Sequence, residues 1–376
     1  MAFREINGRV LAHRHRPGVE PALVFANGLG SDQSAWDAVI AALPRGRAAL
    51  TWDLPGHGGS PVAGEVSVEE MATDMVTLID ALGIGSAVVC GVSLGGMIAL
   101  AASAARPDVV RGAVLMNTAP RIGSAEMWAD RIARVESGGM DAVAPEVLET
   151  WLGPDAPDPA TRAGHGAMLV RTAPAGYAAA CAALRDADLT GAVPDRPVLC
   201  VAGARDRAVP PDAVAAMAEA IPGARLETLP GHHMPGLEAP EDLSALIADF
   251  AADIDRPDGQ ALRRAILGDA HVDRAEAARS PFTDPFQDLI AEGAWGRVWA
   301  SDAIPRRERS MVTLALLAAL GNWDEIPMHV RATRATGASA DDIREAFQHV
   351  AIYAGVPRAN HALKLAERTL ADMAAE

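Results

Sequence analysis

The sequence predicts an α/β chain in two domains: a doubly wound, mostly parallel sheet carrying a helical cap, then an all-helical domain. Three observations predict it. Short apolar runs bounded by Gly and Pro alternate with amphipathic stretches up to about residue 250, the pattern of strands buried under helices on both faces. After the polar, helix-terminating cluster Asp255–Gly259 (Asp-Arg-Pro-Asp-Gly), no strand-like run returns. The 376 residues also exceed what one core usually holds. The expected domains are 1–255 and 256–376, with the cap at about 121–189.

The elements follow in order. Ala22–Ala26 is an apolar run ending at Asn27-Gly28-Leu29-Gly30, and Ala48–Asp53 another, ending at Pro55–Ser60. Val68–Leu82 reads as an amphipathic helix, and Ala87–Cys90 as a strand running into Gly91-Val92-Ser93-Leu94-Gly95. Gly112–Asn117 and Pro197–Gly203 are further strands. Between them, from Arg121 to Leu189, an Ala-rich helical pattern is broken only by Gly and Pro, as a cap inserted between two strands would be. In the second domain, Met311–Leu320 is an apolar helix and Arg358 to the end an Ala- and Leu-rich one. Ser339 is placed to cap a helix with Asp342 in its first turn. Together these read as a helical bundle.

Bulk properties narrow the function. The formal net charge is −16, most of it before residue 256, so neither part has the basic excess that nucleic acid or an anionic membrane favours. Cys90, Cys181 and Cys200 form no C-x-x-C and no disulfide framework, which suits a reducing cytoplasm. The polar start and the lack of a bilayer-length apolar run predict neither leader nor membrane span. Without G-x-G-x-x-G after a strand, a P-loop or His-Glu-x-x-His, no nucleotide, cofactor or catalytic metal is expected.

Gly91–Gly95 fits G-x-S-x-G between a strand and a helix, a tight turn that lifts the Ser93 hydroxyl above the sheet. A serine nucleophile needs a base, and the base an orienting carboxylate. Asp206 follows the Pro197–Gly203 run, and His232 and His233 come after it, in the order Ser, acid, His. The chain to this point resembles α/β-hydrolases. Their common His-x-Pro-x-x-Glu spacing selects His233 as base, with Pro235 and Glu238, and leaves His232 as its neighbour. The oxyanion hole implied by the resemblance uses the backbone N–H groups of Leu94 and Leu29. Asn27-Gly28 stands where most relatives have His-Gly, which a main-chain donor tolerates. A catalytically dead fold used for binding is the competing reading, and an intact triad argues against it.

The cap narrows the family. Arg121-Ile122-Gly123, Glu126-Met127-Trp128 and Arg131-Ile132, with Asn27–Asp32 (Asn-Gly-Leu-Gly-Ser-Asp), resemble 3-oxoadipate enol-lactonases over nearly all of residues 1–255. That resemblance implies hydrolysis of an enol-lactone bearing an acetate side chain. Its carboxylate needs a cation, for which Arg131 and Arg134 are candidates, each against the alternative of a solvated helix face. Trp128 and Trp151 either wall the pocket or build the cap core.

In the second domain, five motifs stand in order: Gly268–Ala275, Ala294–Trp299, Arg306–Met311, His329–Gly337 and His349–His361. They resemble 4-carboxymuconolactone decarboxylases over roughly residues 258–374. In that reaction the lactone carbonyl is itself the electron sink, so the protein must seat carboxylates, stabilise a dienolate and protonate a carbon. His329, Glu308 and Glu325 are the first candidates, and Arg306, Arg331 and His349 the next. His271 and His361 read as hydrogen-bonded structural histidines. Related peroxidase-like proteins carry C-x-x-C before the His. Here Asn322 and Glu325 take those positions and no Cys follows residue 255, which excludes thiol redox chemistry. A zinc site from His329 and His349 lacks companion ligands. The two resemblances fit one another, since fused chains of this kind are known in protocatechuate catabolism. The partners implied are small lactone carboxylates, and a homo-oligomer formed through the helical domain. The competing reading is a general serine esterase or haloperoxidase-like hydrolase with a non-catalytic helical oligomerisation domain.

Overall fold

The computed structural model describes residues 1–154, 159–254 and 258–376, so Asp255, Arg256 and Pro257 of the expected linker lie outside the described residues. The chain separates into two compact units, Met1–Asp255 and Arg256–Glu376.

The first unit is built on one eight-stranded sheet: β1 (Ala2–Ile6), β2 (Arg9–Arg16), β3 (Val19–Ala26), β4 (Arg47–Trp52), β5 (Ala87–Val92), β6 (Val110–Met116), β7 (Val198–Gly203) and β8 (Arg225–Leu229). Their order is β1-β2-β4-β3-β5-β6-β7-β8. β1 pairs with β2, and β2 with β4, in antiparallel fashion, while every pair from β4 to β8 is parallel. β5 and β7 are buried at every residue, which is why they read as continuous apolar runs. β1 is exposed at four of its five residues and the apolar run of β2, Val10–Ala12, is only three residues long, so the apolar pattern misses them. Their local signal is the Asn7-Gly8 turn, where both residues have positive φ.

Among the described residues four α-helices lie between β6 and β7: Ala125–Gly138, Ala144–Leu152, Pro159–Val170 and Pro174–Asp186. The Ala125–Gly138 helix starts at Ser124, whose side chain accepts from Met127 N. Its main packing partner is the Pro174–Asp186 helix, and its buried Trp128 and Val135 belong to the same hydrophobic cluster as the sheet. No single helix among the described residues is long and apolar enough to cross a membrane.

The second unit is helical throughout its described residues. The helices Arg306–Leu320, Ile326–Thr336, Ala340–Tyr353 and Val356–Ala375 close around Leu314, Ile326, Val330, Phe347 and Ala362. The expected cap is reciprocal: Ser339 Oγ accepts from Asp342 N at 3.1 Å, and Asp342 Oδ2 accepts from Ser339 N at 2.8 Å. Gly259–Leu267 and a π-helical stretch, Ile290–Trp299, pack a second cluster around Trp295 and Trp299.

Candidate active sites

The parallel register gathers the hydrolytic residues. Val92 pairs with Met116, Met116 with Val201, and Gly203 with Leu229, so Ser93, Asp206 and His233 all follow the carboxyl ends of the parallel strands β5, β7 and β8. Ser93 has φ 56 and ψ −119, a conformation that costs of order 1–3 kcal/mol for a residue with a side chain. The turn is possible because its glycines admit backbone where a side chain would stand. A Cβ at Gly91 would fall 2.0 Å from the Gly95 carbonyl oxygen, and one at Gly95 would fall 2.2 Å from that of Ala26.

The two histidines separate cleanly. His233 Nδ1 lies 2.7 Å from Asp206 Oδ2, and both side chains are buried. Asp206 Oδ1 accepts from the backbone N–H groups of Ala208 and Val209 at 2.8 and 3.2 Å, which fixes the carboxylate. His232 Nδ1 instead lies 2.8 Å from Glu238 Oε1, and its Nε2 is covered by the cap at Gly153, where a Cβ would stand 2.2 Å away. Only His233 lines the cavity that contains Ser93.

That cavity has a volume of about 240 Å³ and also includes Leu29, Trp128, Arg131, Trp151 and Tyr177. Leu94 opens the Leu94–Ala105 helix, so its N–H has no intrahelical acceptor and faces the positive end of the helix dipole. Asn27 is tied inward: Nδ2 donates to the Trp52 carbonyl at 3.0 Å, and Oδ1 accepts from Trp36 Nε1 at 2.8 Å. The loop carrying Leu29 is thereby anchored to the core.

Trp128 and Trp151 serve both expected roles, being buried in the core and exposed to the cavity. Arg131 faces the cavity, stacks 5.7 Å from the Trp128 ring centroid and pairs with Glu146. Arg134 does not reach the cavity. It lies on the solvated face of its helix, holding Glu146 at 2.9 Å and the Ala142 carbonyl at 3.0 Å.

In the sequence Asn117 is only the last residue of the strand-like run Gly112–Asn117. It is fully buried with φ 44, and its amide donates to the His232 and His233 carbonyls at 2.9 and 3.0 Å while accepting from Gly203 N at 2.6 Å. Thr118 Oγ1 donates to the Ser93 carbonyl at 2.8 Å. This dipeptide ties together the loops that carry Ser93, Asp206 and His233. Its signal in the sequence is one Asn directly after a strand, too common to single out.

A further histidine shapes stability. Burial brings His57 down to about 4, its Nδ1 lies 3.1 Å from the Pro55 carbonyl, and its Nε2 is buried without a partner. A folded-state pKa below the unfolded value means the unfolded chain takes up the proton first. Stability is therefore full above about 6.5 and falls as pH drops from there towards 4. Thermal melts of the hydrolase unit's transition are expected to have a lower midpoint at pH 5 than at pH 7.5, with His57→Gln flattening the difference. An equal slope in that variant would refute the assignment.

In the second unit, His329 stacks on Trp299 with centroids 6.2 Å apart, and burial brings it down to about 4, with His271 adding a smaller push the same way. His271 is lowered by burial first, with Arg263, Arg274 and Glu325 in electrostatic reach. The sequence reading set His271 aside as structural, but the fold brings it towards His329 and Glu325. Arg263, missed in the sequence, is buried with an unpartnered Nε. Glu308 is held by Arg307 at 2.9 Å, and its other carboxylate oxygen is buried without a partner.

Three expected residues do not join this group within one chain. Arg331, two positions from His329 and thus on the other side of the helix, pairs with Glu376. His349 is exposed, with Nδ1 3.3 Å from the Glu345 carbonyl and its ring stacked on Tyr353. Arg306 is exposed at the start of its helix. His361 packs edge-on against Trp323, in keeping with a structural role. Among the described residues no group of three or more His, Cys, Asp and Glu could hold a metal ion.

Comparison with known proteins places both units. Residues 23–246 match the Alpha/beta hydrolase family and residues 284–368 the Carboxymuconolactone decarboxylase family. A 4-carboxymuconolactone decarboxylase of Acinetobacter baylyi is 40% identical over 115 residues, 31% of this chain and 86% of that protein. A 3-oxoadipate enol-lactonase of the same organism is 31% identical over 228 residues, 59% of this chain and 85% of that protein. The crystal structure of the enol-lactonase from Burkholderia xenovorans LB400 superposes with a TM-score of 0.64 at 33% identity, covering 66% of this chain and 99% of that one. The chain therefore belongs to the alpha/beta hydrolase family in its first unit and to the carboxymuconolactone decarboxylase family in its second.

Proposed function

We propose that the chain carries out two consecutive steps of β-ketoadipate metabolism: its second unit decarboxylates 4-carboxymuconolactone, and its first opens the resulting enol-lactone to 3-oxoadipate. The observation that carries the hydrolytic half is the His233–Asp206 pair opening onto the same cavity as Ser93 and Arg131.

Ser93 Oγ attacks the lactone carbonyl while His233 takes its proton, and Asp206 stabilises the imidazolium. The N–H groups of Leu29 and Leu94 receive the carbonyl oxygen as it becomes an anion. The ring C–O bond breaks, the leaving enol oxygen takes the proton from His233, and the enol ketonises. Water, deprotonated by His233, then cleaves the ester on Ser93 and releases the acid. Arg131 seats the side-chain carboxylate.

In the second unit, CO₂ departs with its bonding electrons left in the substrate, and they pass through the double bond to the lactone carbonyl. The ring carbon next to that carbonyl must then be protonated. His329 is neutral in the free protein, and a dianionic substrate beside it favours the protonated form, so binding brings in the proton the carbon requires. Arg263, with Nε free, is placed to meet a carboxylate, and Glu325 and His271 complete the proton-transfer group. Val312, Leu316 and Leu320, four residues apart and exposed on one helix face, support assembly of the helical unit with copies of itself. The three buried, unpaired thiols suit the cytoplasm.

The test is NMR of 4-carboxymuconolactone with the purified chain. 3-Oxoadipate and CO₂ are expected from the wild type. His329→Asn is expected to slow the loss of CO₂ by about 10²- to 10⁴-fold. A wild type that leaves the substrate intact but hydrolyses simple aryl esters would support the alternative, a general esterase with a helical assembly domain.

A further inference from the structure

Tyr177 stands on the cap helix Pro174–Asp186 and contributes to the wall of the Ser93 cavity. It is completely buried, and its hydroxyl finds no acceptor among the described residues, because Arg131, which approaches its oxygen, is itself only a donor. Buried tyrosine hydroxyls are nearly always paired, because leaving one without a partner opposes folding. The ring is fixed in place. A Cβ at Gly30, in the loop that carries Leu29, would lie 3.0 Å from it, so Tyr177 is wedged between that loop and the cap. Arg131, Cys181 and Glu146 are the polar groups that bear on its hydroxyl. Burial pushes the phenol up, and Arg131 opposes this more weakly, so the group remains a protonated donor throughout the neutral range.

The hydroxyl is covered in the empty cavity, and an entering ligand that displaces Glu146 from the neighbouring Arg131 gives this donor its acceptor. An enol-lactone with an acetate side chain brings three polar groups. The carbonyl oxygen belongs to the N–H groups of Leu29 and Leu94, and the ring oxygen to His233. Only the carboxylate is left. Two guanidinium groups line the cavity: Arg207 is largely exposed beside Glu149, whereas Arg131 neighbours the Tyr177 hydroxyl. We propose that Tyr177 donates its hydroxyl to one oxygen of the substrate carboxylate while Arg131 takes the other, so that Tyr177 selects lactones with an anionic side chain. The assignment rests on the enol-lactone reading of the first unit and adds to it the residue that sets substrate choice.

Tyr177→Phe removes one oxygen and keeps the ring. Hydrolysis of the enol-lactone and of a neutral aryl ester, p-nitrophenyl acetate, would be compared in wild type and variant. A hydrogen bond to a charged acceptor predicts that kcat/KM for the enol-lactone falls about ten- to a hundredfold, carried by KM. The ratio of enol-lactone to aryl-ester kcat/KM should drop at least tenfold on the same argument. The melting temperature should not fall, because the variant loses a donor that had no acceptor. Combined with Arg131→Met, the loss should be less than additive, as for two groups holding one ligand. An unchanged KM for the enol-lactone, or equal losses on both substrates, would overturn the role of Tyr177 alone. A wild type that cleaves the aryl ester but not the enol-lactone would instead overturn the reading on which it rests.

Discussion

Ser93→Ala is expected to stop the chain halfway: 4-carboxymuconolactone is consumed, CO₂ is released, and the enol-lactone accumulates. Removing a serine nucleophile costs about 10⁴- to 10⁶-fold in kcat, because the remaining oxyanion donors and cavity only assist attack by water. The second unit has its own hydrophobic core and a separate set of titratable groups, so the first reaction should proceed at its normal rate. NMR distinguishes enol-lactone from 3-oxoadipate in the same tube. If 3-oxoadipate still forms at a rate comparable with wild type, Ser93 is not the nucleophile.

The second large effect concerns two adjacent histidines. His233→Ala is expected to lower enol-lactone hydrolysis by at least about 10⁴-fold, since base and acid are lost together. His232→Ala should stay within about tenfold, a cost of 1.4 kcal/mol or less. The asymmetry follows from contacts: His233 pairs with Asp206 and opens to the cavity, whereas His232 is held between Glu238 and Gly153. Steady-state kinetics on purified enol-lactone would decide it. Comparable losses in both variants would mean that the His232–Glu238 pair also takes part in proton transfer.

The hydrolytic residues were legible in the sequence because the chemistry leaves few choices. A nucleophile between glycines, a following acid and a following base can be ordered along the chain, and the strands that deliver them are apolar enough to see. What escaped depends on direction in space. Arg131 and Arg134 are one turn apart on the same helix, and only packing against Trp128 turns the first inward. Tyr177 lies in an Ala-rich helix without a motif, and what distinguishes it is a missing hydrogen bond that no sequence displays. In the second unit, residues two apart were taken together as His329 and Arg331, although the helix sends them to opposite sides. The electrostatic influence of His271 on His329 is tertiary and has no signal in the sequence. β1 and β2 were lost because β1 is a largely exposed edge strand and the apolar run of β2 is only three residues long.

Glu146 gives the hydrolase pocket a resident counter-ion. Its carboxylate sits on Arg131 and bonds to Arg134, and its side chain is 49% exposed where that of Arg131 is 17% exposed. A guanidinium so shielded from water is never left uncompensated while the pocket is empty. With Arg131 seating the substrate carboxylate as proposed, an arriving anionic ligand exchanges one carboxylate for another, and Glu146 still has Arg134 as a partner. Such an exchange is nearly isoelectric, so neither substrate nor acidic product is held with the full strength of a buried ion pair. A pocket built this way favours throughput over retention, which suits an enzyme whose product carries more negative charge than the lactone it opens.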